Sequence, residues 1–268
     1  MEIPRPYKTI QVEVAKRVAT IVLNRPEVRN AFSPPMVQEL TQAFESLPKF
    51  RDVHAVVLRG AGKSFCSGAD LGYMKAIAEN SFEQNEEDAK SLDHMFWAMH
   101  ECSIPVIGQI HGHAMGGGLG LVALCDVAAA VSDTQFSFSE VRLGISPAVI
   151  SPYVLEKMQA SYAYRYMLSG EVFSADVARE AGLLAFAGGA AEVEEFVTGL
   201  IKKIDQNGPE AVRATKKLLK TMRRGSWKQR REKTAQVIAE RRGSEEGQEG
   251  LKAFLEKREP SWKPKDGV

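Results

Sequence analysis

The sequence predicts an α/β protein in which strands and helices alternate around one core and a helical appendage follows, and three observations predict it. Runs of β-branched apolar residues alternate with runs of helical periodicity as far as about residue 138. Two loops of small residues, at 60–71 and 112–118, each follow an apolar run. From about residue 175 onward strand signals fade and amphipathic helical patterns take over.

Taken in order, residues 9–14 and 18–24 carry β-branched apolar side chains with Ala15, Lys16 and Arg17 between them, the pattern of a hairpin. Arg25 and Pro26 break the second strand. Ser33 before Pro34 and Pro35 marks a helix start, with a hydroxyl to cap and prolines where a missing N–H costs nothing. Val37, Leu40, Phe44 and Leu47 then recur at helical spacing. Residues 55–59 form a short apolar strand ending at Gly60, and strand, helix and strand in this order predict an α/β layer. Residues 72–100 hold Glu79, Glu83, Glu86, Glu87 and Asp88 between apolar patches, which predicts a helical, partly mobile wall with a solvated acidic face. Buried strands are expected at 106–110 and 126–131, with a short alternation at 135–138. Helical patterns follow at 175–181, 191–204, 209–222, 227–241 and 247–257, punctuated by Gly208, Gly225 and Gly243. The chain therefore divides into a core of residues 1–200 and a helical region of residues 201–268, whose apolar faces need something to pack on, a partner subunit being a natural candidate.

Composition narrows the function. A chain of 268 residues with formal net charge +1 supports a sizeable core and does not suit a general polyanion binder. Cys66, Cys102 and Cys125 lack metal-ligand spacing and lie among apolar or small residues, so they read as reduced thiols. His54, His94 and His100 show no ligation pattern, and no metal is expected. The first eight residues carry no leader pattern and no apolar run is long enough to span a membrane, which predicts a soluble, cytoplasmic protein.

The chemistry concentrates at Gly116, Gly117 and Gly118, between the apolar run at 105–110 and an apolar helix. Glycine lets backbone N–H groups approach a ligand, and a helix start leaves such groups unpaired at its positive end, so a negative oxygen can be held there. The alternative is that the glycines only let the helix pack closely on the sheet. The loop at 60–71 offers a second set of approachable N–H groups, and Glu140 adds a carboxylate.

Four stretches stand in order: Leu23-Asn-Arg-Pro-Glu-Val-Arg-Asn-Ala-Phe32, Phe65-Cys-Ser-Gly-Ala-Asp-Leu71, Gly112-His-Ala-Met-Gly-Gly-Gly118 and Ala253-Phe-Leu-Glu-Lys-Arg258. Together they resemble the crotonase superfamily, the enoyl-CoA hydratase and isomerase group, over essentially the full length, closest in pattern to methylglutaconyl-CoA-type hydratases. The resemblance implies a crotonase-like ββα spiral core and a C-terminal α-helical region that forms a homotrimer or a dimer of trimers. It implies an acyl-CoA thioester substrate with no separate cofactor, coenzyme A being part of the substrate. The N–H groups of Ala69 and Gly117 match the family's oxyanion hole, and Glu140 matches a catalytic carboxylate. Arg29, Ser67, Gly68, Asp70, Leu71 and Gly116 match substrate-contacting positions. Phe254 and Lys257 match residues that reach the adenine and phosphates, commonly from a neighbouring subunit.

One departure matters for mechanism. Family hydratases use two glutamates, and the position matching the first is Gly120 here. The segment after Glu140 reads Ser146-Pro-Ala-Val-Ile-Ser-Pro152 instead of the Pro-Gly-Ala-Gly-Gly run of straight-chain hydratases. The favoured expectation is hydration of a branched or glutaconyl-type 2-enoyl-CoA, with Glu140 acting on the water. Isomerisation of a 3-enoyl-CoA with one carboxylate, decarboxylation of a glutaconyl thioester, and a non-catalytic acyl-CoA-binding role are alternatives. The basic stretch from Arg213 to Lys233 raises RNA binding, without the aromatic interleaving of a known RNA module. His111 or His113 could replace a missing acid, although packing is the commoner role; Tyr73 reads as packing, Asp70 as a local cap, Asp126 as structural, and Glu140 could instead pair with Arg142.

Overall fold

A computed structural model describes residues 7–223 and 226–263; the expected N-terminal features at residues 1–6 and the break at Gly225 lie outside the described residues. β1 (Ile10–Ala15) and β2 (Val18–Leu23) form the expected antiparallel hairpin, with Lys16 and Arg17 at φ 47° and 66° in its turn. α1 (Pro34–Ser46) buries Met36, Val37, Leu40, Ala43 and Phe44. Its start differs from expectation in one respect: the Ser33 hydroxyl makes no cap bond, and Pro34 and Pro35 alone set the first turn.

β3 (Ala55–Gly60), α2 (Leu71–Glu79), α3 (Phe82–Glu101), β4 (Val106–Ile110), β5 (His113–Met115), α4 (Gly117–Leu124), β6 (Val127–Val131) and β7 (Gln135–Ser137) follow. The core is completed by α5 (Ser151–Lys157), α6 (Ala160–Ser169), β8 (Phe173–Ser174), α7 (Ala175–Glu180), β9 (Phe186–Gly188) and α8 (Ala190–Asp205). α9 (Pro209–Met222), α10 (Trp227–Gly243) and α11 (Glu245–Leu255) form the appendage.

The main sheet runs β1-β2-β3-β4-β6-β9 and is parallel beyond the hairpin. In β3, β4 and β6 both faces are largely buried, which is why these strands read as nearly continuous apolar runs, whereas β1 alternates buried or half-buried residues with exposed ones. Val56, Leu58, Val106, Ile110, Ala128 and Ala130 join the large core that holds α1, α3 and α4. Ala55, Val57, Ile107 and Ala129 face the other way, onto Val193, Val197 and Ile201 of α8. A smaller sheet, β5-β7-β8, stands beside it.

Two expectations are corrected here. Strands do not end at residue 175: β9 pairs with β6, but three half-buried residues are too few for periodicity to show. The expected division at residue 200 falls inside α8, which packs on the sheet through Ile201, so the break between core and appendage lies at residues 206–208.

The appendage is fixed to the core by cations. Arg213 donates to the carbonyls of Pro48, Phe50 and Val53 at 3.0, 3.1 and 3.0 Å. Lys216 is buried, donates to the Ile104 carbonyl at 2.8 Å and pairs with Asp126 at 2.6 Å. Asp126 also accepts the Val106 N–H at 2.6 Å, the structural role expected of it. Glu246 of α11 accepts the N–H groups of Glu210 and Ala211, placing a carboxylate at the positive end of α9. Part of the basic stretch is thus occupied inside the molecule.

Candidate active site

Two parallel bridges and one short sheet assemble the site. Phe32 bridges Ala69, and Cys66 bridges Ala114, so the loop after β3 lies between the N-terminal segment and β5. β5 pairs with β7, Met115 opposite Ser137, and this brings the turn at 116–118 beside the turn that carries Glu140.

In the first bridge the Phe32 N–H donates to the Gly68 carbonyl at 2.7 Å and the Asp70 N–H donates to the Phe32 carbonyl at 2.9 Å. A parallel bridge of this kind turns the N–H of the middle residue, Ala69, to the opposite side. The Gly116 N–H donates to Ser137 at 2.9 Å, and Gly116 then takes φ 50° and ψ −124°, a conformation that a side chain would strain. Gly117 opens α4. Among the described residues neither the Ala69 N–H nor the Gly117 N–H has a protein acceptor. Two approachable donors therefore stand on segments joined through Phe32, whose ring lies so close to Gly117 that a Cβ there would be 2.7 Å from its Cε2.

Glu140 lies in a single turn of 3₁₀-helix, Ser139–Leu143, closed by Gly144 at φ 74°. Its carboxyl lies over Gly116: a Cβ on that glycine would be 3.0 Å from Oε1. Oε2 is buried and, among the described residues, has no hydrogen-bond partner and no ion pair with Arg142. Burial pushes the Glu140 carboxyl above the usual carboxylate range, its own backbone N–H acting in the opposite direction. A group with these properties is suited to taking and returning a proton.

Gly120 is equally telling. A Cβ there would stand 2.5 Å from Ile150 Cγ2 and 2.9 Å from the Phe96 ring. The space a second carboxylate would need is filled with hydrocarbon, Phe96 being fully buried and packed against Tyr153 at 6.0 Å.

The remaining expected residues divide into two groups. Ser67 and Gly68 lie in the bridged loop, the Ser67 N–H donating to the Arg29 carbonyl at 3.1 Å. Leu71 stands 78 % exposed at the start of α2. Asp70 is a cap, as expected, accepting from Gly72 at 2.7 Å and Tyr73 at 3.4 Å, and it also pairs with Arg25 at 2.7 Å. Arg25 holds its carboxyl below the usual range. The Asp70 carboxylate thus ties the start of α2 to Arg25. Phe254, 81 % exposed, and Lys257, at φ 54°, sit on the end of α11, which packs against α9 and α10. Among the described residues no hydrogen bond or ion pair joins them to the bridged loops.

His111 Nε2 lies 3.0 Å from the Gly62 carbonyl and His113 Nδ1 lies 3.2 Å from Ser64 Oγ, so both brace the loop after β3. Tyr73 donates to Asp88 at 2.5 Å, joining α2 to α3. All three cysteines are buried and free, and burial pushes the Cys66 and Cys125 thiols up to about 12. Among the described residues no three His, Cys, Asp or Glu side chains converge to hold a metal ion, and no helix is long and apolar enough to cross a membrane.

Sequence reasoning missed Arg25, Asn30 and Phe32. Arg25 reads only as a strand breaker beside Pro26, yet its guanidinium reaches Ala31 O at 2.8 Å and Asp70 at 2.7 Å. Asn30 is fully buried, donates to the Ala61 and Ser64 carbonyls at 2.8 Å each and accepts the Arg25 N–H. Polar residues next to an apolar strand end were the available signal.

The chain is similar to known proteins. The family model described as Enoyl-CoA hydratase/isomerase matches residues 13–265. The chain is 35 % identical over 217 residues to an enoyl-CoA hydratase of Alternaria alternata, covering 80 % of this chain and 71 % of that one. It is 31 % identical over 271 residues to the peroxisomal Delta(3,5)-Delta(2,4)-dienoyl-CoA isomerase of Arabidopsis thaliana, covering 95 % and 96 %. The crystal structure of an enoyl-CoA hydratase from Shewanella pealeana superposes with a TM-score of 0.91 at 35 % identity, covering 96 % of each chain.

Proposed function

Because the chain belongs to the enoyl-CoA hydratase/isomerase family, we propose that it adds water to a 2-enoyl-CoA thioester with Glu140 as its one acid–base group. The observation that carries this reading is the Glu140 carboxyl, buried with an unpartnered Oε2 over the turn that presents Gly117. The thioester oxygen sits between the Ala69 and Gly117 N–H groups. As the water oxygen bonds to C3, electrons move to that oxygen, and each donor stabilises the resulting enolate by about 3–4 kcal/mol. The Glu140 carboxylate takes a proton from the water as the C–O bond forms and then delivers a proton to C2. C3 gains a hydroxyl, C2 gains a hydrogen, and Glu140 returns to its starting state. The two transfers follow one another on one face of the substrate, so a single carboxylate suffices, and its raised pKa strengthens it as a base toward water.

In this reading coenzyme A enters as part of the substrate, with no further cofactor. Ser67, Gly68, Leu71 and Gly116 border the thioester, and Arg29 lies beside the nucleotide. Phe254, exposed on the end of α11, and Lys257 serve the nucleotide of a neighbouring copy in a homotrimer or a dimer of trimers. The acyl group is branched or of glutaconyl type, and the buried reduced thiols suit a cytoplasmic setting. The hydrocarbon wall at Gly120 also favours a second reading, isomerisation of a 3-enoyl-CoA, in which Glu140 removes a proton from C2 and returns it to C4. A panel of straight, branched and glutaconyl thioesters separates the two. Hydration predicts loss of the conjugated-thioester absorbance of 2-enoyl substrates. Conversion of 3-enoyl-CoA with no hydration of the conjugated product would establish the isomerase instead, and carbon dioxide release from a glutaconyl thioester would establish decarboxylation.

A further inference from the structure

The two oxyanion donors come from distant parts of the chain, and one residue touches both segments. The backbone of Phe32 straddles Ala69 through its bonds to Gly68 and Asp70. Its ring lies against Gly117 and is itself backed edge-on by Phe96, with centroids 6.2 Å apart and planes at 86°. The ring is 2 % exposed, so it has no freedom to move away. Arg25 closes the arrangement. One of its nitrogens donates to the carbonyl of Ala31, the residue before Phe32, and the other to the carboxylate of Asp70, the residue after Ala69. The planar fork of a guanidinium fixes both distances at once, which a lysine cannot do.

We propose that Phe32, locked by Arg25 across Ala31 and Asp70, is a positioning residue that sets the separation of the Ala69 and Gly117 N–H donors. The proposal rests on the reading of those groups as an oxyanion hole. Such a hole works only when its donors lie about 2.7–3.1 Å from the charged oxygen, and a displacement of about 1 Å costs roughly 100-fold in rate. Backbone donors cannot adjust by changing rotamer, so their spacing has to be imposed by what packs between their segments. Here that is one aromatic ring and one bridge.

The test uses Phe32→Leu, Arg25→Gln and Arg25→Lys in the full chain. Each variant is measured for kcat and KM on a 2-enoyl-CoA and for the carbonyl stretching frequency of a bound saturated acyl-CoA labelled with carbon-13 at the thioester. Two polarising N–H groups lower that frequency relative to the free thioester. Phe32→Leu and Arg25→Gln are expected to lower kcat roughly 10- to 100-fold. KM is expected to stay within about threefold, because uniform binding is untouched. The carbonyl band should return toward its solution position in both, and Arg25→Lys should recover part of the shift. A fall in kcat with an unchanged carbonyl band, or losses that only track the thermal midpoint, would overturn the proposal and leave Phe32 and Arg25 as packing residues. If Phe32→Leu fails to fold, the two Arg25 variants decide the matter, since they leave the apolar core intact. A wild-type protein that binds the thioester without shifting its carbonyl band would overturn the oxyanion reading itself, a result distinct from failure in the variants alone.

Discussion

Buried charge is treated in opposite ways where α9 meets the core and where Glu140 meets the glycine turn. At α9 two inward-facing charges have partners: Lys216 meets a carbonyl and Asp126, and Arg213 meets three carbonyls. At the glycine turn the Glu140 carboxyl has an oxygen with no partner at all. Pairing removes most of the cost of burying a charge, whereas leaving a carboxylate alone raises its pKa and destabilises its charged form. The first region is built for stability. The second accepts a loss of stability in exchange for a proton-transferring group.

Exchanging the properties of the two regions tests this contrast. The largest effect is expected at Glu140. Glu140→Gln should lower kcat for hydration about 10²–10⁴-fold while acyl-CoA binding, measured by calorimetry, is kept. The mirror change is Lys216→Met, which leaves the Ile104 carbonyl and a partly exposed Asp126 without their cation. Stability to urea should fall by about 2–3 kcal/mol, with kcat per folded molecule unchanged. Gly120→Ala puts a methyl 2.5 Å from Ile150 and 2.9 Å from Phe96, so it should destabilise by about 1–3 kcal/mol. Gly120→Glu should create no more active hydratase, because its carboxylate has nowhere to go without displacing both side chains.

The smallest effect is the most diagnostic of the contrast. A carboxyl whose folded pKa is raised contributes stability that is present below its unfolded value and lost as pH rises through the folded value. Glutamine stays neutral throughout. Glu140→Gln should therefore melt higher than wild type at alkaline pH and converge with it in acid, each kcal/mol recovered appearing as about 2–4 °C. A variant less stable than wild type at pH 8 would mean that the carboxyl has a partner in solution.

Much of this was legible from residue patterns. Alternation gave the β1–β2 hairpin, helical spacing gave the buried face of α1, and the glycine turn and Glu140, both singled out in the sequence, lie against one another. The expected appendage is there as α9, α10 and α11. What could not be read depended on residues that meet only after folding. β9 is held by pairing with β6 rather than by its own three residues. The occupancy of the space beside Gly120 is decided by Phe96 and Ile150, one before and one after it in the chain. Arg25 and Phe32 carry no local sign that one guanidinium and one ring join two loops. For Asp70 the cap was legible from the residue type and its place before α2, and the ion pair to Arg25 was not.

The central claim is that one buried carboxyl performs both proton transfers, and kcat for hydration of a 2-enoyl-CoA, measured against pH for wild type and Glu140→Gln, tests it most directly. The account predicts a single ionisation in the wild type, with rate rising as Glu140 loses its proton and a midpoint above the ordinary carboxylate range, and no measurable ionisation of this kind in the nearly inactive variant. A bell-shaped profile that survives Glu140→Gln, with turnover close to wild type, would contradict it.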